Sequence, residues 1–334
     1  MKYYKALVLF LSISTIWVNY KMYNSSLFQA YIMFDYNQAT FYAPIDLVMD
    51  IDNEFPNVTL TTLPIKFLQA RYYEEIDSIE IAKKLYYESM NINPYLTAPE
   101  AELAGLYFNQ KMYDSAYYYS KIAFDNIPNS NVHRHALFEV LKHRKDTLEL
   151  MSSFETLKQY DNDNHWKEFM LYMYQILGPN NKTVMDTFEE YKIRFNKSND
   201  NPTDVLESLL KVGSSNVVAS VSISLKADSL FNEKKYLSSA KLYELALEFD
   251  KTDYIFYENA AIAYNLAGDY NKAKNYFDRV IDGFKPLNGK SEFYKGVMLV
   301  KLNEIEEGCL FLKKAVDLNY SGDASLRVYN NFCN

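Results

Sequence analysis

Glycine, proline and cysteine are all scarce in this sequence of 334 residues, which has nine glycines, nine prolines and two cysteines. A turn-rich β protein needs more residues that break or reverse the chain, so the scarcity favours closely packed helices. Aromatic residues are abundant instead, with 31 tyrosines and 21 phenylalanines, and their large side chains can fill helix interfaces. The composition predicts an all-α protein.

Positive charge is also in deficit, since the formal net charge is −8. A protein that binds nucleic acid needs a dense basic surface to displace counterions from the phosphates. The sequence contains no cluster of lysine and arginine of that kind. We therefore expect no nucleic-acid partner.

Reactive side chains form no recognisable catalytic or metal-binding pattern. His133 and His135 would point to different sides of a helix, and His143 would lie about 12 Å along the helix axis from His135. Glycine-rich phosphate loops, the G-x-S-x-G elbow of hydrolases and the H-E-x-x-H motif are absent from the sequence. The sequence predicts no catalytic residue, no cofactor and no metal, and hence a protein that is not an enzyme.

A long uncharged run stands near the start of the chain. It extends from Ala6 to Tyr20, follows two lysines, and is closed by Lys21. Tyrosines and a tryptophan bracket the run, no small-residue cleavage site follows it, and about 27 Å of helix suffices for a thin bilayer. We interpret residues 1–21 as a transmembrane signal-anchor helix. A cleaved signal peptide and a buried core helix are the alternatives.

A pattern with a period of 34 residues runs through much of the remaining sequence. It is clearest from Tyr254, where large residues stand at positions 4, 11, 17 and 24 and small residues at positions 7, 8 and 20. The pattern begins again at four other residues: Leu63, Thr97, Ser220 and Gly289. Two prolines that close successive copies, Pro94 and Pro128, are also 34 residues apart. A period of this length is typical of stacked repeats.

The repeat resembles the tetratricopeptide repeat, a unit of about 34 residues that folds as helix–turn–helix. In that family, small residues at positions 8 and 20 let the two helices approach closely. The resemblance implies an all-α fold, a right-handed solenoid of helix hairpins with a C-terminal cap helix. The predicted segments are an atypical first helical hairpin in 22–62, two repeats in 63–130, degenerate helical hairpins in 131–219, three repeats in 220–320 and the cap helix in 321–334.

The two cysteines fall at the C-terminal end of the array. Cys309 lies early in the second helix of the last repeat, and Cys333 lies at the end of the cap helix. An antiparallel cap helix brings its last turn beside the first turn of its neighbour, so the two sulfurs can form a disulfide in an oxidising compartment. The alternative is a pair of buried thiols that pack as small apolar groups.

The family resemblance also implies a binding surface, because positions 5, 9 and 12 of the first helices line a concave groove in tetratricopeptide arrays. The matching residues here are Phe67, Arg71, Glu74, Ala101, Gly105, Phe108, Ser224, Asp228, Phe231, Glu258, Ile262 and Asn265. Asp228 and Glu258 are acidic where a peptide C-terminal carboxylate would need a basic or amide group. A groove for an apolar or extended peptide fits better. The alternative is that some of the rings only pack against neighbouring helices.

A second resemblance concerns location. A short membrane segment, then "FPNVTLTTLPIKFLQARYY", then repeats containing "DSAYYYSKIAF", resembles the extracytoplasmic tail of bacterial O-antigen ligase or polymerase-like proteins, without their many-helix catalytic domain. The lysines before the uncharged run favour an N-terminus that stays in the cytoplasm. We therefore expect a single-pass protein of a bacterial inner membrane, with an extracytoplasmic, periplasmic C-terminal domain.

The expected role is that of a scaffold whose groove binds a protein or an extended peptide, with a polytopic envelope protein as one candidate partner. One alternative is an accessory subunit of envelope polysaccharide assembly that positions a glycan or a transferase. A further alternative is a secreted or cytoplasmic repeat protein that binds peptides.

Overall fold

The computed structural model describes residues 2–195 and 205–333; Met1, residues 196–204 and Asn334 lie outside it. The chain divides into two compact units, Met1–Asp161 and Asn162–Asn334. The helices of the first unit are α1 (Lys2–Gln38), α2 (Ile45–Met49), α3 (Ile65–Glu75), α4 (Ile79–Ile92), α5 (Ala98–Asn109), α6 (Tyr113–Asn126), α7 (Asn131–Arg144) and α8 (Thr147–Leu157).

The described helices of the second unit are α9 (Asp163–Leu177), α10 (Lys182–Arg194), α11 (Val205–Val212), α12 (Ser214–Asn232), α13 (Tyr236–Phe249), α14 (Tyr254–Ala267), α15 (Tyr270–Asp278), α16 (Lys290–Lys301), α17 (Ile305–Asp317) and α18 (Asp323–Cys333). A π-turn, Arg279–Phe284, extends α15. The prediction of an all-α fold built from repeated helices is confirmed over the described residues.

Five hairpins show the close helix approach that the period of 34 residues predicts. The residues at positions 8 and 20 are small and buried in each: Ala70 and Ala82, Ala104 and Ala116, Ala227 and Ser239, Ala261 and Ala273, and Gly296 and Gly308. The hydroxyl of Ser239 donates to the carbonyl of Ala227 at 2.8 Å, directly across one hairpin. A side chain larger than these would separate the two helices, so the hairpins have tetratricopeptide geometry.

The turns inside these hairpins share one backbone conformation. Position 15 adopts the left-handed region in all five, with φ between 58° and 85°: Asp77, Lys111, Lys234, Gly268 and Asn303. The next backbone N–H then donates to a carbonyl five residues earlier, as Met112 does to Tyr107 at 2.9 Å, which closes the first helix. Lys145, 34 residues after Lys111, has the same conformation with φ of 54°. Helices α7 and α8 therefore form a further hairpin in register, although the large Phe138 and Leu150 occupy its positions 8 and 20.

Helix α1 crosses the predicted boundary between residues 21 and 22 without a break over its 37 residues. It contains neither glycine nor proline that would end it. Its second half continues into the core through Ile32, while the chain after it forms only the five-residue α2 and an irregular segment before α3. The segment 22–62, for which an atypical first hairpin is predicted, thus holds the second half of α1 and the short α2.

Helix α18 forms the predicted cap and runs antiparallel to α17. The Sγ atoms of Cys309, near the start of α17, and Cys333, at the end of α18, lie at bonding distance, 1.97 Å. Their Cα atoms are 5.6 Å apart. The two cysteines therefore occupy the relative positions that the antiparallel cap helix predicts.

Candidate binding clefts

The first unit carries a cleft of about 550 Å³ between α5 and α7, the first helices of two consecutive hairpins. We call it the N-terminal cleft. Small and apolar side chains form most of its lining, and polar groups stand among them: Ala101, Glu102, Ala104, Gly105, Phe108, Asn109, Asn131, Val132, His135, Ala136, Glu139 and Val140. A volume of a few hundred Å³ with an apolar lining and a few polar groups is typical of ligand sites.

Gly105 accounts for part of the free space in the N-terminal cleft. It lies inside α5 and is exposed, and a Cβ atom built on it would meet no other atom within 4 Å. Glycine in a helix interior costs roughly 0.5–1 kcal/mol relative to alanine. The fold itself does not require a glycine here, since nothing crowds the position, so its effect is to leave the wall of the cleft open.

An aromatic group fixes one wall of this cleft. The ring of Phe108 meets the rings of Tyr113 and His143 edge to face, with centroids 5.5 Å apart in both pairs. Tyr113 and His143 stack on each other at 3.9 Å. The rings of Tyr113 and His143 therefore fix the position of the Phe108 ring, which gives the cleft a preformed apolar surface.

A charged network extends from the N-terminal cleft toward α3 and α4. Nη1 of Arg71 donates to Oε2 of Glu102 at 2.9 Å and to Oε2 of Glu74 at 3.1 Å, and the hydroxyl of Tyr86 donates to Glu74 at 2.8 Å. Burial raises the pKa of Glu102 to about 7, because the attraction of Arg71 offsets the loss of solvation only in part. Burial likewise raises the pKa of Tyr86. The network holds one arginine against two carboxyl groups, so it gives this end of the cleft an acidic character.

The second unit carries a smaller cleft of about 240 Å³, which we call the C-terminal cleft. Its lining is Asp228, Phe231, Tyr243, Asn259, Ile262, Lys290 and Tyr294. The hydroxyl of Tyr243 donates to Asp228, and burial, followed by this hydrogen bond, raises the pKa of Tyr243. Most of its polar groups are already paired within the chain, which leaves a narrow site with mixed polarity.

The twelve predicted groove residues have different environments. Ala101, Gly105 and Phe108 lie together in the N-terminal cleft, and Asp228, Phe231 and Ile262 lie in the C-terminal cleft. Arg71 and Glu74 belong to the charged network beside the first cleft.

The other four predicted residues line neither cleft. Phe67 is fully buried in the core, with its ring 5.7 Å from those of Tyr36 and Tyr86. Glu258 is 2% exposed and accepts hydrogen bonds from Lys290 and Ser291. Two half-buried residues complete the set, Ser224 and Asn265.

The residues that form the α7 wall of the N-terminal cleft were not among the predicted groove residues. Val132, His135, Ala136, Glu139 and Val140 all belong to α7, whose hairpin lacks the small residues that mark a repeat. The sequence nevertheless indicates this wall, because extending the period of 34 residues from Thr97 to Asn131 places His135 and Glu139 at the groove positions 5 and 9.

The hairpin geometry and the clefts define a tetratricopeptide-type helical repeat fold. No family model matches the sequence, and no curated protein matches it. Similar solved structures include a tetratricopeptide repeat protein from Parabacteroides merdae, with 14% identity, 80% of this chain and 98% of that chain covered, and a TM-score of 0.33. The TPR domain of P58(IPK) has 9% identity, 94% and 98% coverage and a TM-score of 0.41.

YrrB, described as a TPR protein with an unusual peptide-binding site, has 11% identity, 73% and 97% coverage and a TM-score of 0.27. At these identities and TM-scores the fold assignment rests on the hairpin geometry of the chain itself. The resemblance to the tails of O-antigen ligase-like proteins stays a prediction.

Proposed function

We propose that this protein is a membrane-anchored scaffold, with its repeats outside the cytoplasm, that binds partner proteins by holding an extended peptide segment in the N-terminal cleft. The observation that carries the proposal is the open space between α5 and α7, where Gly105 faces an unfilled volume beside the preformed ring of Phe108. The protein acts by binding, and any chemistry belongs to the partner that it holds.

The lining of the cleft indicates which peptide it suits. An apolar side chain of the ligand would contact Phe108 and the small residues of α5 and α7, which removes apolar surface from water. Two carboxyl groups, Glu74 and Glu102, share the single positive charge of Arg71, so this end of the cleft keeps an excess of negative charge. A basic residue next to the apolar one would complement this charge. The preferred ligand is therefore an extended segment with adjacent apolar and basic side chains.

Two features support the location. Helix α1 contains a stretch, within Tyr3–Gln38, that is long and apolar enough to cross a membrane, and none of its most apolar window is buried in the described residues. The paired Cys309 and Cys333 suit an oxidising compartment, where disulfides persist. An integral membrane protein of the envelope is accordingly the partner that we favour.

Binding can be tested with the full chain in lipid nanodiscs and a phage-displayed library of random peptides. We expect the library to converge on segments with adjacent apolar and basic residues. Gly105→Leu should weaken the selected peptides by about tenfold or more, because its side chain fills the space that the ligand needs. Gly105→Ala is the matched control and should bind almost normally. The proposed site would be overturned if Gly105→Leu bound the selected peptides as tightly as the wild-type chain does, or if the selected peptides contained no apolar residue.

Location is tested separately by thiol labelling of intact cells, together with membrane fractionation. We expect the protein to sediment with membranes, and its two cysteines to react with a thiol reagent only after reduction. Free labelling of both cysteines in a soluble protein would contradict the anchored, extracytoplasmic arrangement, while the test of the cleft would still stand.

A further inference from the structure

Helix α1 has an exposed apolar seam on the side that faces away from its own domain. The seam residues follow each other at alternating intervals of four and three: Ile16, Tyr20, Tyr23, Leu27, Ala30 and Phe34. At 100° per residue they fall within about 80° of the helix circumference. The five large side chains among them are between 57% and 69% exposed.

The opposite side of α1 is already occupied. Ser25, Gln29 and Ile32 are buried against the rest of the first unit, and Asp35 accepts hydrogen bonds from the hydroxyl of Tyr72 at 2.8 Å and from the N–H of Ala43 at 2.7 Å. These contacts fix the rotation of α1 about its own axis. The seam is therefore held outward, away from the domain, by the fold.

Part of the seam lies beyond the reach of a bilayer. A hydrocarbon core of about 30 Å takes up about 20 residues of helix, and the residues from Tyr3 to Tyr20, about 27 Å of helix, suffice for a slightly thinner bilayer. The part from Tyr23 to Phe34 then continues for roughly 17 Å into water. Lys21, paired with Asp52 at 2.5 Å, marks the transition. Apolar side chains lined up in water along a helix favour a partner that covers them.

We infer that the seam pairs with the same seam of a second copy of this chain, in a parallel α1–α1 dimer that continues from the membrane into the aqueous region. The inference rests on the proposed membrane anchoring. Alternating intervals of four and three are the spacing of two-stranded coiled coils, in which apolar a and d residues meet their counterparts. Tyr20, Leu27 and Phe34 occupy the a positions, and Ile16, Tyr23 and Ala30 occupy the d positions.

Three features favour a second copy as the occupant. All copies enter the membrane in the same direction, so their α1 helices are parallel and stand at the same height. In a parallel pair each side chain lies next to the same side chain of the second copy, so a charged residue would meet a like charge. Residues 22–34 contain no charged side chain. The two nearest charges, Lys21 and Asp35, are both bound within their own chain. A second copy also supplies a helix that continues past the membrane by the same length.

The test uses single cysteines in the full chain, with Cys309 and Cys333 both replaced by alanine, oxidised in native membranes. Leu27→Cys and Phe34→Cys place a thiol on the seam. Met22→Cys is the matched control, since Met22 is also exposed but lies about 120° away from the seam centre. We expect about tenfold more disulfide-linked dimer from the seam cysteines than from the control, because only a and d residues approach their counterparts closely. An N-terminal tag and membrane sedimentation are followed in the same samples.

The outcomes separate pairing from anchoring. Dimers at Leu27→Cys and Phe34→Cys, but not at Met22→Cys, support the pairing. A protein that is anchored with its N-terminus intact but forms no dimer, or that dimerises equally at Met22→Cys, overturns the pairing and leaves the anchor standing. Crosslinks from the seam to a protein of another mass also overturn it. Loss of the tag or of membrane sedimentation overturns both inferences.

Discussion

A Cβ atom on Gly296 would lie 2.9 Å from the carbonyl oxygen of Gly308, closer than such atoms approach in proteins. The two glycines face each other where α16 and α17 come closest, so an added methyl group would force the helices apart. Gly105 is the contrasting case, because its α-carbon faces the open N-terminal cleft.

We expect replacement of glycine by alanine to change the free energy of unfolding in opposite directions at these two sites. Gly296→Ala should lower the free energy of unfolding by about 1–3 kcal/mol, the usual cost of overpacking. Gly105→Ala should raise it by about 0.5–1 kcal/mol through higher helix propensity. Urea denaturation monitored by circular dichroism measures both. A neutral Gly296→Ala would mean that α16 and α17 are not in close contact.

The ion pair of the buried Glu258 with the half-buried Lys290, 2.8 Å apart, gives a second prediction. Lys290→Met leaves a carboxylate that is 2% exposed with only the hydroxyl of Ser291 as a described partner. We expect a loss of about 2–4 kcal/mol in the free energy of unfolding, most of it recovered when Glu258→Gln is added. A double-mutant cycle in urea measures the coupling.

The half-exposed pair of Lys21 and Asp52 is the control for that cycle. Lys21→Met should cost less than about 1 kcal/mol, because water screens exposed ion pairs. Equal costs for the two lysine variants would contradict the buried position of Glu258.

The third prediction concerns pH. Burial, offset only in part by Arg71, raises the pKa of Glu102 from 4.5 to about 7. The folded state therefore holds this proton more tightly than the unfolded state. Its contribution to stability is fully present below pH 4.5 and is lost as the pH rises through 7. We expect Glu102→Gln to remove a fall of about 1–3 kcal/mol between pH 5 and pH 8.

Urea midpoints at several pH values test this expectation. Glu80→Gln is the control variant, since Glu80 is an exposed carboxyl on the neighbouring α4. The expectation fails if the wild-type chain and Glu102→Gln show the same dependence on pH, or if Glu80→Gln changes it as much.

The fourth prediction concerns the C-terminal cap. The Cys309–Cys333 bridge closes a separation of 24 residues, which corresponds to about 3 kcal/mol in the chain-entropy account. A reductant should lower the thermal midpoint of the wild-type chain and should not affect the Cys309→Ala/Cys333→Ala variant. Scanning calorimetry with and without reductant measures this. An unchanged wild-type midpoint would show that the bridge does not form or does not stabilise the cap.

The repeat pattern itself could be predicted from the sequence because it records local packing. Ala261 and Ala273 are small for a reason that involves only one hairpin, the close approach of its two helices, and both are fully buried. The left-handed turns were harder to predict from the sequence. Among the five hairpins, only one has glycine at position 15, Gly268, and the other four have lysine, aspartate or asparagine there. There the surrounding hairpin imposes the conformation.

The repeat pattern alone could not predict which residues line a groove. Phe67 and Ala101 both occupy position 5 of a repeat, yet Phe67 lies in the core and Ala101 lines the N-terminal cleft. The difference comes from Tyr36 of α1, a helix outside the repeats, whose ring packs against Phe67. The sequence by itself determined which residues hold each hairpin together, because those contacts are local. Only the tertiary structure decided which first-helix residues line a cleft, because this depends on the element that packs beside them.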